Sequence, residues 1–173
     1  MSTRVIAVIG LAASAVAVGL TLVKWIDFTE LGMPFAWTGL ATYVGQHADH
    51  YGPMLAGAVT PVGWVAVLAA VLVCATSVIA LLNVAPVWRI GIGAVAALAS
   101  VAAAAVVGAI VVQPEILLDD FLTMVGAESF NSSAGMLRPF LITPVLYAEI
   151  AALIVMAATA GWLALRGLRR SEA

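Results

Sequence analysis

Four long apolar runs, about Val5–Val23, Pro61–Leu82, Ile90–Val112 and Phe140–Leu165, constrain this chain more than any other feature. A helix needs about 20 residues, at 1.5 Å each, to cross roughly 30 Å of hydrocarbon. Inside a bilayer every backbone polar group must find its partner within the protein, which leaves helices and closed barrels. A barrel strand would alternate apolar and polar positions over roughly ten residues, and these runs are continuous. Only 9% of the residues are charged and 64% are hydrophobic, whereas a soluble domain carries about 25% charged residues. The expectation is an all-α integral membrane protein: one four-transmembrane-helix bundle over residues 1–173, with longer connections at about 24–60 and 113–139.

Orientation follows from the seven basic residues. Arg4, Arg89, Arg166, Arg169 and Arg170 fall at the N-terminus, the second-to-third connection and the tail, and only Lys24 and Arg138 fall on the other side. Excess Lys and Arg mark the cytoplasmic face, so both termini are expected inside and both long connections outside. The acids Asp27, Glu30, Asp49, Glu115, Asp119, Asp120 and Glu128 then all lie in the outer connections. Trp25 and Trp64 would sit at one lipid boundary, Trp88 and Trp162 at the other. Arg4 followed by an apolar core and Ala15-Val16-Ala17 also fits a cleaved signal peptide, but the run continues to Val23 and a retained helix is the reading taken. A preference for Arg over Lys, with abundant Ala, Val and Gly, points to the inner (plasma) membrane of a high-GC bacterium. The threading resembles the general tetraspan or claudin-like arrangement in shape alone. Neither a claudin-type first-loop motif nor a cysteine pair accompanies it, and Cys74 stands alone.

The outer connections carry helical periodicity. Trp37, Leu40, Val44 and His47 recur at helical spacing within 34–50, and Leu117, Phe121 and Met124 do so after Pro114, opposite Asp119 and Asp120. Each predicts a short amphipathic helix lying on the membrane surface or capping the bundle. Segment 83–89 reads as a tight inner turn. Small residues at Ala96, Ser100, Ala104 and Gly108 predict a smooth helix-packing stripe, with shorter ones at Ala15/Gly19, Ala66/Ala70/Cys74 and Ala157/Gly161. Asn131-Ser132-Ser133 is a glycosylation sequon in a eukaryotic secretory context.

Glu149 is the sharpest residue, a carboxyl inside an apolar run. A charge there costs at least about 2.5 kcal/mol, so the group is expected to turn inward, to carry a proton or to be paired. Its candidate partners are Lys24, Arg138, which starts the fourth helix on roughly the same face, Tyr147, Thr143 and Ser100. With Pro144 loosening the first turn, Thr143, Tyr147 and Glu149 are expected to floor an outward-facing pocket. His47, Asp49 and His50 form the one metal-like cluster, a divalent-cation candidate that still needs a third or fourth ligand.

No phosphate-binding loop, nucleophile elbow, HExxH helix or CxxC pair is present, and no basic, aromatic-interleaved face suggests nucleic acid. The expected function is therefore a non-catalytic accessory or assembly subunit of a larger envelope complex, without cofactor. Its partners would be the lipid bilayer and a larger membrane protein or a second copy. The alternatives are a proton, ion or small-molecule handler built on Glu149 beneath a loop lid, and an extracytoplasmic metal-binding protein around His47 and His50.

Overall fold

The computed structural model describes residues 2–82, 86–124, 126 and 137–171, with residues 31, 86 and 169–171 described by their backbone alone. The sequon at 131–133 and Glu128 lie outside these residues, as do positions 83–85 of the expected inner turn. Among the described residues the structure is mostly helical. In chain order it contains α1 (Thr3–Thr21), β1 (Lys24–Asp27), β2 (Ala36–Thr38), α2 (Ala48–Met54), α3 (Gly63–Leu81), α4 (Pro86–Val112), α5 (Glu115–Met124) and α6 (Thr143–Ser171). Four helices, α1, α3, α4 and α6, are long and apolar enough to cross a membrane.

The boundaries correct the sequence reading where polar residues had masked helix ends. The fourth long helix runs to Ser171, past the Arg-containing tail. The third begins at Pro86 rather than Ile90, because proline suits the first helical position, where no N–H is needed. Arg89 therefore lies within α4, where it is buried, rather than in a turn.

The chain divides into two compact units. The helical unit comprises residues 1–19, 65–104 and 149–173, and the connecting unit comprises 20–64 and 105–148.

Small residues set the closest approaches in the helical unit. A Cβ added at Gly10 would fall 2.8 Å from Ser77 Oγ and 3.3 Å from Thr159 Oγ1, so α1 meets α3 and α6 at this glycine. One added at Gly93 would fall 3.1 Å from both the carbonyl oxygen of Ala160 and Ala164 Cβ. Ile6, Ala7, Ala80 and Leu163 form a buried cluster flanked by Trp162. The Arg166 guanidinium lies 4.1 Å over the Trp162 ring and donates to Thr3 Oγ1 at 3.3 Å.

The connecting unit departs from the all-α expectation. Residues 34–47 do not form the expected helix, and only 48–50 belong to one, at the start of α2: Ala36–Thr38 pairs antiparallel with Lys24–Asp27, with an irregularity between Lys24 and Ile26. Trp37-Thr38 and Thr42-Tyr43-Val44 favour extended backbone, and Gly39 and Gly45 interrupt any helix between them. Of Trp37, Leu40, Val44 and His47 only Trp37 is buried, and Val44 and His47 are exposed, so the periodicity marks no common buried face.

Trp25 is fully buried, not an interfacial ring. Its indole donates to the Leu20 carbonyl at 2.9 Å, and its own carbonyl accepts from Ile142 N–H at 2.9 Å. Trp64 and Trp88, by contrast, are exposed, as lipid-boundary residues would be.

The helix after Pro114 forms, and its apolar face is Leu117, Leu118, Phe121 and Leu122, with Asp119 and Asp120 outward. Met124, expected on that face, is 54% exposed. Phe121 enters an aromatic cluster, with ring centroids 5.1 Å from Trp37, 5.5 Å from Phe35 and 5.9 Å from Phe28. Phe28 also stacks on Phe140 at 4.5 Å. Thr60 N–H donates to the Leu117 carbonyl, which ties the first long connection to α5.

Candidate functional site: a buried carboxyl in the last long helix

The residues of α6 with the deepest burial are Leu146, Glu149, Leu153, Met156, Ala160 and Leu163, each 0% exposed. Their spacing of three and four in alternation is that of a packing seam. Glu149 occupies one position of this seam, where every other member is aliphatic or thioether. It sits six residues into the helix, about 9 Å from its start.

Both Oε1 and Oε2 of Glu149 are buried and have no hydrogen-bond partner among the described residues. Four buried hydroxyls of the helical unit are committed to their own helices: Ser14 donates to the Gly10 carbonyl, Thr76 to Leu72, Ser100 to Ala96 and Thr159 to Met156, all at 2.8–2.9 Å. Back-bonding of this kind satisfies a buried hydroxyl inside an apolar bundle. Ser77 Oγ, also in the helical unit, is likewise buried without a hydrogen-bond partner among the described residues.

The partners expected for Glu149 are placed elsewhere. Lys24 forms an ion pair with Asp27 at 2.9 Å. Arg138 does not begin α6. It lies in a 3-10 turn, Arg138–Phe140, and Leu141 beyond it is extended, so no helical register links Arg138 to Glu149. Thr143 Oγ1 is directed to the Leu141 carbonyl at 3.4 Å. Tyr147 is 58% exposed; two helical positions before Glu149 is a turn of about 200°, so the two side chains point in nearly opposite directions.

Arg138, Thr143 and Tyr147 are nevertheless brought together. With Val111, Val112 and Leu141 they line a cavity of about 260 Å³ in the connecting unit. Arg138 Nη2 also donates to the Val112 carbonyl at 3.2 Å. Three of the five residues expected to anchor a ligand thus share a site that excludes Glu149 from its lining.

Of the helix-packing stripe, Ala96 and Ser100 are fully buried, whereas Ala104 and Gly108 are half-buried. A strict four-residue repeat rotates about 40° per step around a 3.6-residue helix. The buried line follows Ala96, Ser100, Ala103, Val107 and Ile110 instead. Nothing lies within 4 Å of where a Cβ on Gly108 would be.

His47, Asp49 and His50 are all exposed. His47 adopts a left-handed backbone conformation, φ 52°, immediately before α2, so it is not on a shared helix face with His50. Both rings edge against Tyr51, with centroids 6.4 and 5.0 Å away. Among the described residues no group of three or more His, Cys, Asp or Glu is arranged to hold a metal ion.

Sequence reasoning overlooked the Gly10–Ser77–Thr159 contact, whose signal was a glycine and two hydroxyl residues among larger apolar ones in three helices. Comparison with family models, curated proteins and solved structures gives no match for the chain.

Proposed function

We propose that the chain is a small, non-catalytic multi-pass membrane protein that takes up and releases a proton at Glu149. The observation that carries this reading is the burial of both carboxylate oxygens, without a hydrogen-bond partner among the described residues, in an otherwise apolar helix seam. An ionised group there is unfavourable by several kcal/mol unless the packing around it changes. Gain or loss of the proton therefore biases the seam between two arrangements. A proton fits this position better than a metal ion, because a calcium ion needs six to eight oxygen ligands and the carboxyl supplies two. Burial within the chain also argues against Glu149 as a direct contact for another subunit.

The test is amide hydrogen exchange of α6 in lipid nanodiscs across a pH series, for wild type and Glu149→Gln. The expected result is pH-dependent protection around residues 146–156 in wild type that is absent in the Gln variant. Identical profiles in the two proteins would remove the proposal.

A second reading, an accessory or assembly subunit of a larger membrane complex, draws on the connecting unit. It has its own aromatic core yet leaves Met33, Val44, Met54, Ile116 and Met124 exposed. Stoichiometric co-purification of a membrane protein in mild detergent, lost on replacing Met54 and Met124 with Ser, supports it; a chain that purifies alone from gently solubilised membranes counts against it. For location we propose the plasma membrane of a bacterium, with both termini cytoplasmic, on the distribution of Lys and Arg. Labelling of single cysteines placed near each terminus by an impermeant maleimide tests that orientation.

A further inference from the structure

The cavity around Arg138 has the composition of an amphiphile site. Its lining combines a guanidinium and two hydroxyl-bearing residues, Arg138, Thr143 and Tyr147, with the aliphatic Val111, Val112 and Leu141. The guanidinium has one N–H committed to the Val112 carbonyl, which leaves most of its five donors available. Among the described residues no carboxylate pairs with the guanidinium and none lines the cavity.

Position adds the second argument. Val112 ends one candidate membrane span and Thr143 begins another, so Arg138, bonded to Val112, lies at the end of a candidate span, where a headgroup region is expected. Tyr147, one turn into its span and 58% exposed, is placed as an interfacial aromatic ring. Arginine recognises phosphate oxygens through paired, charge-assisted hydrogen bonds. We propose that this cavity binds a phosphate oxyanion, in the form of an anionic phospholipid headgroup whose glycerol and first methylenes lie along Val111, Val112 and Leu141. This site is independent of the proton reading at Glu149.

The test titrates the full-length protein in detergent with phosphatidylglycerol or phosphatidylcholine and counts bound lipid by native mass spectrometry. Wild type is expected to favour phosphatidylglycerol. Arg138→Gln should weaken phosphatidylglycerol binding about tenfold or more while leaving phosphatidylcholine unchanged, and Arg138→Lys should retain most of the preference. Tyr147→Phe removes a hydroxyl from an exposed ring without touching the fold; several-fold weaker phosphatidylglycerol binding is expected there even if Arg138→Gln proves unstable. With those losses in hand, displacement of bound phosphatidylglycerol by inorganic phosphate assigns the pocket to phosphate as such, and resistance to displacement assigns it to the lipid. Equal phosphatidylglycerol binding by wild type, Tyr147→Phe and folded Arg138→Gln overturns the proposal.

Discussion

Gly39 lies flat against the indole of Trp25: a Cβ added to it would come within 2.5 Å of Trp25 Cε2. Trp25 is itself fully buried and its indole N–H is bonded to Leu20, so the ring has nowhere to retreat. On its other side Gly39 accepts a backbone hydrogen bond from Gly63 at 2.8 Å, so the glycine is held between the hairpin and the start of α3.

Gly39→Ala is therefore expected to destabilise the protein by about 1–3 kcal/mol, the usual cost of overpacking a filled site. Gly108→Ala, inside α4 with no atom within 4 Å of the added Cβ, serves as the control and should be neutral or slightly stabilising. Thermal or denaturant unfolding in detergent makes the comparison, and equal loss in the two variants would refute the packing account.

The aromatic cluster predicts a sharp contrast within α5. Phe121, 6% exposed and in contact with three other rings, should cost about 3–5 kcal/mol when replaced by Ala. Met124, 54% exposed on the same helix, should cost little. Limited proteolysis of the connecting unit reads the difference directly, since loss of its core exposes backbone to cleavage.

Acid should weaken the connecting unit through Asp27. Burial opposes ionisation of this carboxyl, but hydrogen bonds from the Thr29 hydroxyl and N–H and from Lys24 outweigh it and hold the group below the ordinary value of 3.8. A lowered value in the folded state means that the stabilisation is complete above about pH 3.8 and is lost as pH falls through the lowered value. Asp27→Asn should be less stable than wild type at neutral pH, with the difference shrinking in acid. A gap that stays constant with pH would show that Asp27 acts by shape rather than charge.

Gly10 and Ser77 should behave as a coupled pair. Gly10→Ala drives a methyl towards Ser77 Oγ, 2.8 Å away, and should be destabilising. Ser77→Ala removes a buried hydroxyl that has no partner and should be neutral or slightly stabilising. The double variant should recover much of the Gly10→Ala loss, though Thr159 Oγ1 at 3.3 Å keeps the site tight. A double-mutant cycle with no interaction energy would contradict the contact.

How much of this was legible in the sequence depended on which signal dominated locally. The four long helices were readable because continuous apolarity over a bilayer's width admits few alternatives. Leu117 and Phe121 were readable as one helix face because acidic residues marked the other. The Trp37 segment misled because a spacing of three and four also arises when a folded hairpin buries occasional aromatics. Trp25 reads as a boundary ring in the sequence because a tryptophan after an apolar run looks the same whether lipid or protein covers it. At Glu149 the sequence supplied the anomaly, but its partners could not be inferred, since helix rotation and the break at Leu141 determine which side chains face one another. Arg138, Thr143 and Tyr147 were each singled out, and their shared cavity required the 3-10 turn that brings the guanidinium back to Val112.

The central claim is that the α6 seam holds Glu149 as a carboxylic acid that exchanges its proton. Infrared spectroscopy of the protein in lipid, recorded for wild type and Glu149→Gln and subtracted, measures this most directly. The account predicts a carboxylic-acid carbonyl band in wild type, shifting on deuteration, that disappears in the Gln variant. A difference spectrum containing only ionised-carboxylate bands would contradict it.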